Sequence, residues 1–276
     1  MTKARTALAR AAAVLRDICD TPRLDAELLM AYALGTSREA LLLHCLDAPT
    51  PPEFAVLLAR REAHEPIAYI TGRRAFWTIE LGVGPGVLVP RADSETLIEA
   101  AVDHFGAAGP ATILDLGTGP GTLLLAALDQ WPAARGLGVD CSPVALAMAR
   151  RNATQNGSAS RAHFVCGDWA GAVSARFDLV LSNPPYIGTN EALPPEVRNH
   201  EPALALFGGA DGLAAYAKII PDIQMLIAEN GLAVLEVGAT QAQAVSAMVA
   251  KYNGLGASIR VDLAGRERAV LVCHTG

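Results

Sequence analysis

The sequence predicts an α/β protein in two parts, a small N-terminal α-helical bundle followed by an open, mostly parallel sheet of seven strands. Three observations carry this. Residues 1 to about 69 read as helix throughout. From Thr112 onward, short apolar and β-branched runs alternate with helical segments. Polar and glycine-rich stretches then fall at the carboxyl ends of those runs, where open α/β sheets bind their ligands.

In the N-terminal part, Leu8, Ala12, Leu15 and Ile18 share one face of a first amphipathic helix. Pro22 opens a second helix through Leu34, ended by Gly35; Ser37 caps a third, and Thr50 with Pro51, Pro52 and Glu53 starts a fourth. The bundle is either a docking module for a macromolecular substrate or a scaffold that shields one side of the second part. Lys3, Arg5 and Arg10 beside an alanine-rich run have the look of a targeting segment, but Arg16 and Asp17 interrupt it. No apolar block is long enough to cross a bilayer.

Trp77, Ile79 and Leu81 then alternate before a glycine-rich stretch and Val87 to Val89, which predicts a β-hairpin joining the two parts. Asp93 or Ser94 is expected to cap a helix running to about Phe105, with Arg91 and Glu95 near its N-terminal end. Strands follow at Thr112 to Leu116, Gly136 to Val139, His163 to Cys166 and Phe177 to Leu181. A polar loop from Ile187 to Glu201, either a lid or plain surface, leads to a helix at Gly212 to Ala228. A strand at Leu232 to Val237, a helix to about Tyr252 and strands near Ala257 to Leu263 and Ala269 to Cys273 complete the chain, the last strand reversed.

Composition bounds the function. With 276 residues, 51% hydrophobic and 18% charged, the chain suits a soluble globular protein with a substantial core. A formal charge of −6 argues against a nucleic-acid partner, though a local basic patch remains compatible with it. The five cysteines, Cys19, Cys45, Cys141, Cys166 and Cys273, form no C-x-x-C pair and read as reduced thiols inside a cell. The six histidines do not cluster, so neither a covalent nor a metal mechanism is supported.

The chemistry concentrates in two motifs. Gly117, Gly119 and Gly121 alternate between a strand and an apolar helix, allowing a ligand close to the backbone and to helix N–H groups. No Lys-Ser/Thr follows, which excludes a P-loop, and the D-x-G-x-G-x-G spacing differs from the dinucleotide fingerprint. Asp140, ending the next strand, stands where an acid accepts from both ribose hydroxyls. Asp168 ends the third strand; beside it Trp169 either covers an adenine ring or simply packs in the core. At the fourth strand end, Asn183, Pro184, Pro185 and Tyr186 form a stiff corner, because the prolines have fixed φ and no N–H. The Asn183 side-chain carbonyl and the Pro184 main-chain carbonyl can converge on one NH2 group, and Tyr186 adds a flat face. Such a grip suits methyl acceptance by a planar amide or amine nitrogen.

DLGTGPG, Asp140 and NPPY in this order resemble a Rossmann-type S-adenosylmethionine-dependent methyltransferase of class I. Within that group, EPIAYITG, PRADSETLIE, GDWAG, NPPYI, HEPALALFGGADGLAAY and GRERAV resemble the bacterial release factor glutamine methyltransferases, the PrmC/HemK family. The resemblance implies a helical substrate-docking domain over 1–70, a β-hairpin linker over 71–90 and a methyltransferase domain over 91–276. It implies that Gly117, Thr118, Gly119, Pro120 and Gly121 hold the methionine side of S-adenosyl-L-methionine, Asp140 the ribose, and Asp168 with Trp169 the adenine. Asn183 would contact both cofactor and acceptor, with Pro184, Pro185 and Tyr186 completing a glutamine pocket. The implied partners are class I peptide chain release factors, met by a cytoplasmic monomer with no stable nucleic acid and no membrane. The rival readings are an adenine amino-methyltransferase acting on nucleic acid, which shares the Asn-Pro-Pro-Tyr corner, and a non-catalytic cofactor-binding platform.

Overall fold

The structure, a computed structural model, describes residues 2–275 apart from the side chain of Ala172. Met1 and Gly276, the outer bounds of the expected domains, lie outside the described residues. The chain forms two compact units, Met1–Arg73 with Leu193–His200, and Arg74–Ala192 with Glu201–Gly276.

The first unit is helical: α1 (Ala4–Val14), α2 (Pro22–Ala33), α3 (Arg38–His44), α4 (Glu53–Glu62) and α5 (Ile67–Thr71), with the short helix Pro195–His200. Pro22 occupies the first turn of α2, where a missing N–H is harmless, and the Ser37 hydroxyl accepts the Ala40 N–H to cap α3. Gly35 ends α2 in the left-handed region at φ 65°. Leu8, Leu15, Leu29, Met30 and Leu41 are fully buried in the shared core. An ion cluster ties the later segment to the bundle, since buried Arg61 reaches Asp25 on α2 and Glu196 at 2.7 Å each. Burial alone would weaken the Arg61 charge, but Asp25 and then Glu196 outweigh it and hold its pKa above the ordinary value. The expected loop over 187–201 therefore contains a helix, and its residues 193–200 fold with the bundle.

The second unit opens on a hairpin, β1 (Arg73–Phe76) and β2 (Ile79–Gly82). This corrects the expected pairing with Val87 to Val89, which join no strand. Trp77 turns the chain earlier, with φ 53°, its N–H bonded to Glu95 and its indole N–H to Gln130. The Val89 N–H goes instead to the Glu201 carboxylate at 3.0 Å. Phe76, Ile79 and Leu81 bury into the core of this unit, so the hairpin is part of it.

Helix α6 (Glu95–Phe105) precedes the alternation β3 (Thr112–Leu116), α7 (Thr122–Gln130), β4 (Arg135–Asp140), α8 (Pro143–Gln155), β5 (Ala162–Cys166) and β6 (Phe177–Ser182). After the helix Ala214–Leu226 come β7 (Ile227–Glu236), the helix Ala242–Val249, β8 (Leu255–Val261) and β9 (Glu267–His274). The strand order is β5-β4-β3-β6-β7-β9-β8, parallel from β5 to β7, with β9 antiparallel to both neighbours. The reversed final strand agrees with the expectation. Side chains alternate between two cores: Ile113, Leu179 and Leu181 pack with α6 and α7, whereas Leu114, Val180 and Leu235 pack with the Ala214–Leu226 and Ala242–Val249 helices. From β3 the chain builds outward to β5, then returns to lay β6 on the other side. The crevice between the ends of β3 and β6 is the switch point of the sheet.

Candidate active site

Register places the motifs together: Leu116 pairs with both Val139 and Ser182, so the turns after β3, β4 and β6 emerge side by side. A cavity of about 320 Å³ opens there. Of the residues singled out in the sequence, Gly117, Thr118, Gly119, Pro120, Asp140, Asp168, Trp169, Asn183 and Pro185 line it, whereas Gly121, Pro184 and Tyr186 do not.

The Gly117 and Thr118 N–H groups both donate to the Val139 carbonyl, at 2.8 and 3.0 Å, which curls the chain over the end of β4. Gly119 then takes φ 56°, and nothing lies within 4 Å of where a Cβ would stand, so bare backbone faces the cavity. Asp140 is fixed by two main-chain donors, Gly119 N–H on Oδ2 and Ser142 N–H on Oδ1, both at 2.8 Å. Each oxygen keeps a further lone pair for a ligand. Trp169, in the left-handed region at φ 50°, lays its ring against Gly117. Asp168 is 71% exposed and pairs with Lys218 at 3.2 Å, leaving it at the solvent edge.

Asp115 was not singled out in the sequence, although an acid inside the apolar run TILDL is a visible signal. It is buried and lines the cavity, with Oδ2 accepting from the Thr118 hydroxyl at 2.7 Å and the Leu124 N–H at 3.2 Å. Oδ1 has no hydrogen-bond partner among the described residues. Burial pushes its pKa up to about 7, Thr118 and Leu124 working against the rise and the Asp140 charge adding to it.

The corner after β6 is held from behind. Asn183 Nδ2 donates to the Ser94 hydroxyl at 3.1 Å, and neither Asn183 Oδ1 nor the Pro184 carbonyl has a partner among the described residues. Ser94 thus does not cap α6 as expected; it sits at helical φ −67° closing a 3-10 turn over Ala92–Ser94, and no side-chain cap bond forms there. Asp93 likewise forms no cap, its carboxylate pairing with Arg268 at 2.9 Å. Arg91 lines the cavity and is held by Glu201, whose side chain is almost fully buried. The Tyr186 hydroxyl points away to Glu236 at 3.3 Å, and burial, followed by the Glu236 charge, raises its pKa.

A second clasp comes from residues 206–212, to which no role was assigned from the sequence. Ile187 N–H donates to the Leu206 carbonyl at 3.0 Å and Gly208 N–H to the Ile187 carbonyl at 2.9 Å. Side chains are excluded at Gly208 and Gly212, where a Cβ would stand 2.3 Å from the Pro185 carbonyl oxygen and 2.1 Å from that of Tyr186. Gln241 Nε2 completes the clasp at the Tyr186 carbonyl, 2.9 Å away.

Open backbone at Gly119, the Asp140 carboxylate at the end of the second parallel strand and the unpartnered Asp115 oxygen suit a ligand carrying a ribose and a cationic group. Solved structures agree on the fold. The chain resembles a ribosomal protein L11 methylase from Lactobacillus delbrueckii subsp. bulgaricus at TM-score 0.52 and 19% identity, covering 70% of this chain and 84% of that one. It also resembles a methyltransferase from Pyrococcus furiosus at TM-score 0.53 and 18% identity, covering 71% and 88%. Fold, cavity and the match of residues 92–195 to the Methyltransferase small domain together define a methyltransferase that uses S-adenosyl-L-methionine.

Family matches narrow the class. Residues 6–72 match the PrmC N-terminal domain and residues 92–195 the Methyltransferase small domain. The release factor glutamine methyltransferase of Rhodospirillum rubrum is 44% identical over 257 residues, 91% of this chain and 79% of that protein. That of Mycolicibacterium smegmatis is 39% identical over 276 residues, covering 98% and 97%. The chain belongs to the release factor glutamine methyltransferase family.

Proposed function

We propose that this enzyme methylates the side-chain amide nitrogen of the glutamine in the Gly-Gly-Gln motif of class I peptide chain release factors, and so modulates translation termination. The bound cofactor supplies an electrophilic methyl carbon on a sulfonium. The backbone from Gly117 to Gly121 receives its methionine side, Asp115 Oδ1 its ammonium, Asp140 its ribose, and Asp168 with Trp169 its adenine. Pro185 would line the glutamine pocket at the cavity, with Pro184 supplying its main-chain carbonyl and Tyr186 bracing the corner from behind.

The observation that carries this reading is Asn183 at the cavity wall with its amide nitrogen committed to Ser94 and its carbonyl oxygen unused. An amide nitrogen is a weak nucleophile because its lone pair is delocalised. An acceptor such as Asn183 Oδ1, joined by the Pro184 carbonyl, grips the N–H groups, aims the nitrogen and favours charge build-up as it attacks. The proton shed afterward is acidic enough to leave without a strong base. The helical unit serves as the docking module, and its exposed Leu43 and Val56 suit a protein partner. No helix among the described residues is long and apolar enough to cross a membrane. The cytoplasm, where release factors act, is the compartment this reading requires.

The test is transfer of labelled methyl to a release factor, to an isolated Gly-Gly-Gln peptide and to DNA. Label on glutamine is expected; label on DNA alone would replace this reading with an adenine amino-methyltransferase. For Asn183→Ala, transfer should slow by about 100-fold, the scale of a misplaced reactant, while cofactor affinity changes far less. Unchanged turnover would show that the acceptor is held elsewhere.

A further inference from the structure

The glycine turn proposed to receive the cofactor is gripped from outside the cavity by one buried asparagine. Asn152, in the third turn of α8, is 1% exposed and does not line the cavity. Its amide bonds to the main chain of two distant segments. Oδ1 accepts the Gly82 N–H at 2.8 Å, and Nδ2 donates to the Gly82 carbonyl at 3.0 Å and to the Pro120 carbonyl at 2.8 Å. The reversed amide would set its oxygen against two carbonyl oxygens and its NH2 against an N–H, so the orientation has one solution. One helical turn further on, Asn156 Nδ2 donates to the Glu80 carbonyl at 3.0 Å, and α8 thereby holds alternate residues of β2 by their main chain.

The turn has few polar handles of its own. Gly119 and Gly121 take φ 56° and 89°, regions where glycine keeps many alternatives open, and Pro120 between them has no N–H. The Gly119 N–H is spent on Asp140 and the Gly121 N–H on the Thr118 carbonyl at 2.9 Å. In a regular helix start the N–H four residues on, that of Leu124, would take the Pro120 carbonyl. Here it goes to the buried Asp115 instead. Asn152 supplies the missing donor, and it is the sole partner of that carbonyl among the described residues. Leaving a buried carbonyl without a donor is costly, so this bond holds the Pro120–Gly121 peptide firmly.

We infer that Asn152 is a positioning residue for the cofactor: by tying the Pro120 carbonyl to the β2 main chain, it sets the 119–121 turn in the shape that binds. Without it the Pro120–Gly121 peptide is tied at its N–H end alone and can rotate between two glycines. Pro120, which lines the cavity, moves with that peptide, and the Gly119 N–H is drawn off Asp140, the acid proposed for the ribose. Gly82 is the other half of the grip. A Cβ there would stand 2.9 Å from Asn152 Oδ1, so only a glycine lets the amide reach both the N–H and the carbonyl of that residue. The hairpin is in this way part of the cofactor site without touching the cavity. The Asn183 corner, held by Ser94 and residues 206–212, does not depend on the grip, so the effect falls on cofactor binding and not on methyl transfer.

This inference rests on the proposed placement of the cofactor at Gly117 to Gly121, and the experiment separates the two. Asn152→Ala and Gly82→Ala, in the full-length enzyme, are compared with wild type for the Kd of S-adenosyl-L-methionine by calorimetry below the melting transition, and for kcat and KM of the cofactor. Gly119→Asn, whose side chain tolerates positive φ, places atoms on the bare face of the turn and tests the placement itself. Expected in Asn152→Ala is a Kd and cofactor KM raised about 10-fold, the value for a turn competent one-tenth of the time, with kcat at saturating cofactor retained. Gly82→Ala should shift both constants in the same direction by a smaller factor. A purely structural role would lower the active fraction, and so kcat, at unchanged cofactor KM; that pattern, or a wild-type Kd in Asn152→Ala, overturns the inference. Should Asn152→Ala fold poorly, Gly82→Ala decides: a raised cofactor KM at retained kcat supports the inference, and a wild-type KM refutes it. An unchanged Kd in Gly119→Asn defeats the placement of the cofactor, and the inference falls with it; a Kd lost there but kept in Asn152→Ala overturns the inference alone.

Discussion

Gly212→Ala adds one methyl group where the corner leaves no room for it. The new Cβ would stand 2.1 Å from the Tyr186 carbonyl oxygen and 2.5 Å from Gln241 Nε2, the group that donates to that oxygen. Both are fixed, one by the backbone and the other by its own hydrogen bonds to Tyr186 and Gly238, so relief requires the corner to retreat by roughly 1 Å toward an ordinary contact. Position 212 also sits at φ +75°, where a non-glycine residue costs about 1–2 kcal/mol. Losing the Gln241 bond adds about 1 kcal/mol, so the variant should be roughly 2–3 kcal/mol less stable and still folded. A 1 Å shift of positioning residues costs on the order of 100-fold in rate, and the glycine turn that receives the cofactor lies on other strands. Thermal melting, cofactor titration and methyl transfer to a Gly-Gly-Gln peptide test this together. The expected result is a lowered melting temperature, near-normal cofactor affinity and kcat down by about two orders of magnitude. A folded variant with kcat within threefold of wild type would refute the claim that residues 206–212 hold the corner in place.

The other predictions concern separate parts of the molecule. Asp140→Ala removes a charged acceptor from the Gly119 and Ser142 N–H groups, each such bond worth about 1.5–3 kcal/mol; cofactor affinity by calorimetry should drop by roughly 10- to 100-fold, and an unchanged value would show the turn is held by other means. Asp25→Ala leaves the buried Arg61 with the half-exposed Glu196 as its one carboxylate partner among the described residues, beside the Glu65 carbonyl, which should destabilise the helical unit by about 3–5 kcal/mol in urea melts, whereas a loss below 1 kcal/mol would mean that water replaces the carboxylate. Asp115 and Glu236 are both pushed up to about 7 by burial. Between the ordinary carboxyl range and that value the folded chain holds protons that the unfolded chain has released, so these two groups make stability fall as pH rises from about 4.5 to 7. Melts of Asp115→Asn should show a shallower fall than wild type over that window, and an equal slope would remove Asp115 from the account.

Much of the site could be read from local text because its chemistry is local. A strand that runs into alternating glycines, and another that runs into Asn-Pro-Pro-Tyr, declare their own turns through φ preference and missing donors. The strands at Thr112, Gly136 and Phe177 were legible for the same reason, as apolar runs bounded by turn residues. The hairpin turn is not legible in the same way, because Trp77 turns the chain at a φ its residue type disfavours, held by Glu95 and Gln130 from elsewhere in the chain. An acid or serine before a helix usually caps it, which makes Asp93 and Ser94 look like caps; the Ser94 partner Asn183 lies 89 residues away and only the folded sheet brings it near.

The succession of strands along the chain, the glycine turn, the acid after the second parallel strand and the rigid corner after the fourth were written in the sequence, since each depends on residues adjacent in the chain. Only the tertiary structure decided that Tyr186 turns from the cavity toward Glu236, that Arg91 is held by Glu201, and that Gly208 and Gly212 close over the corner. The physical reason is that periodicity records which face of an element is apolar, while the pairing of two polar groups brought in from distant strands leaves no periodic trace.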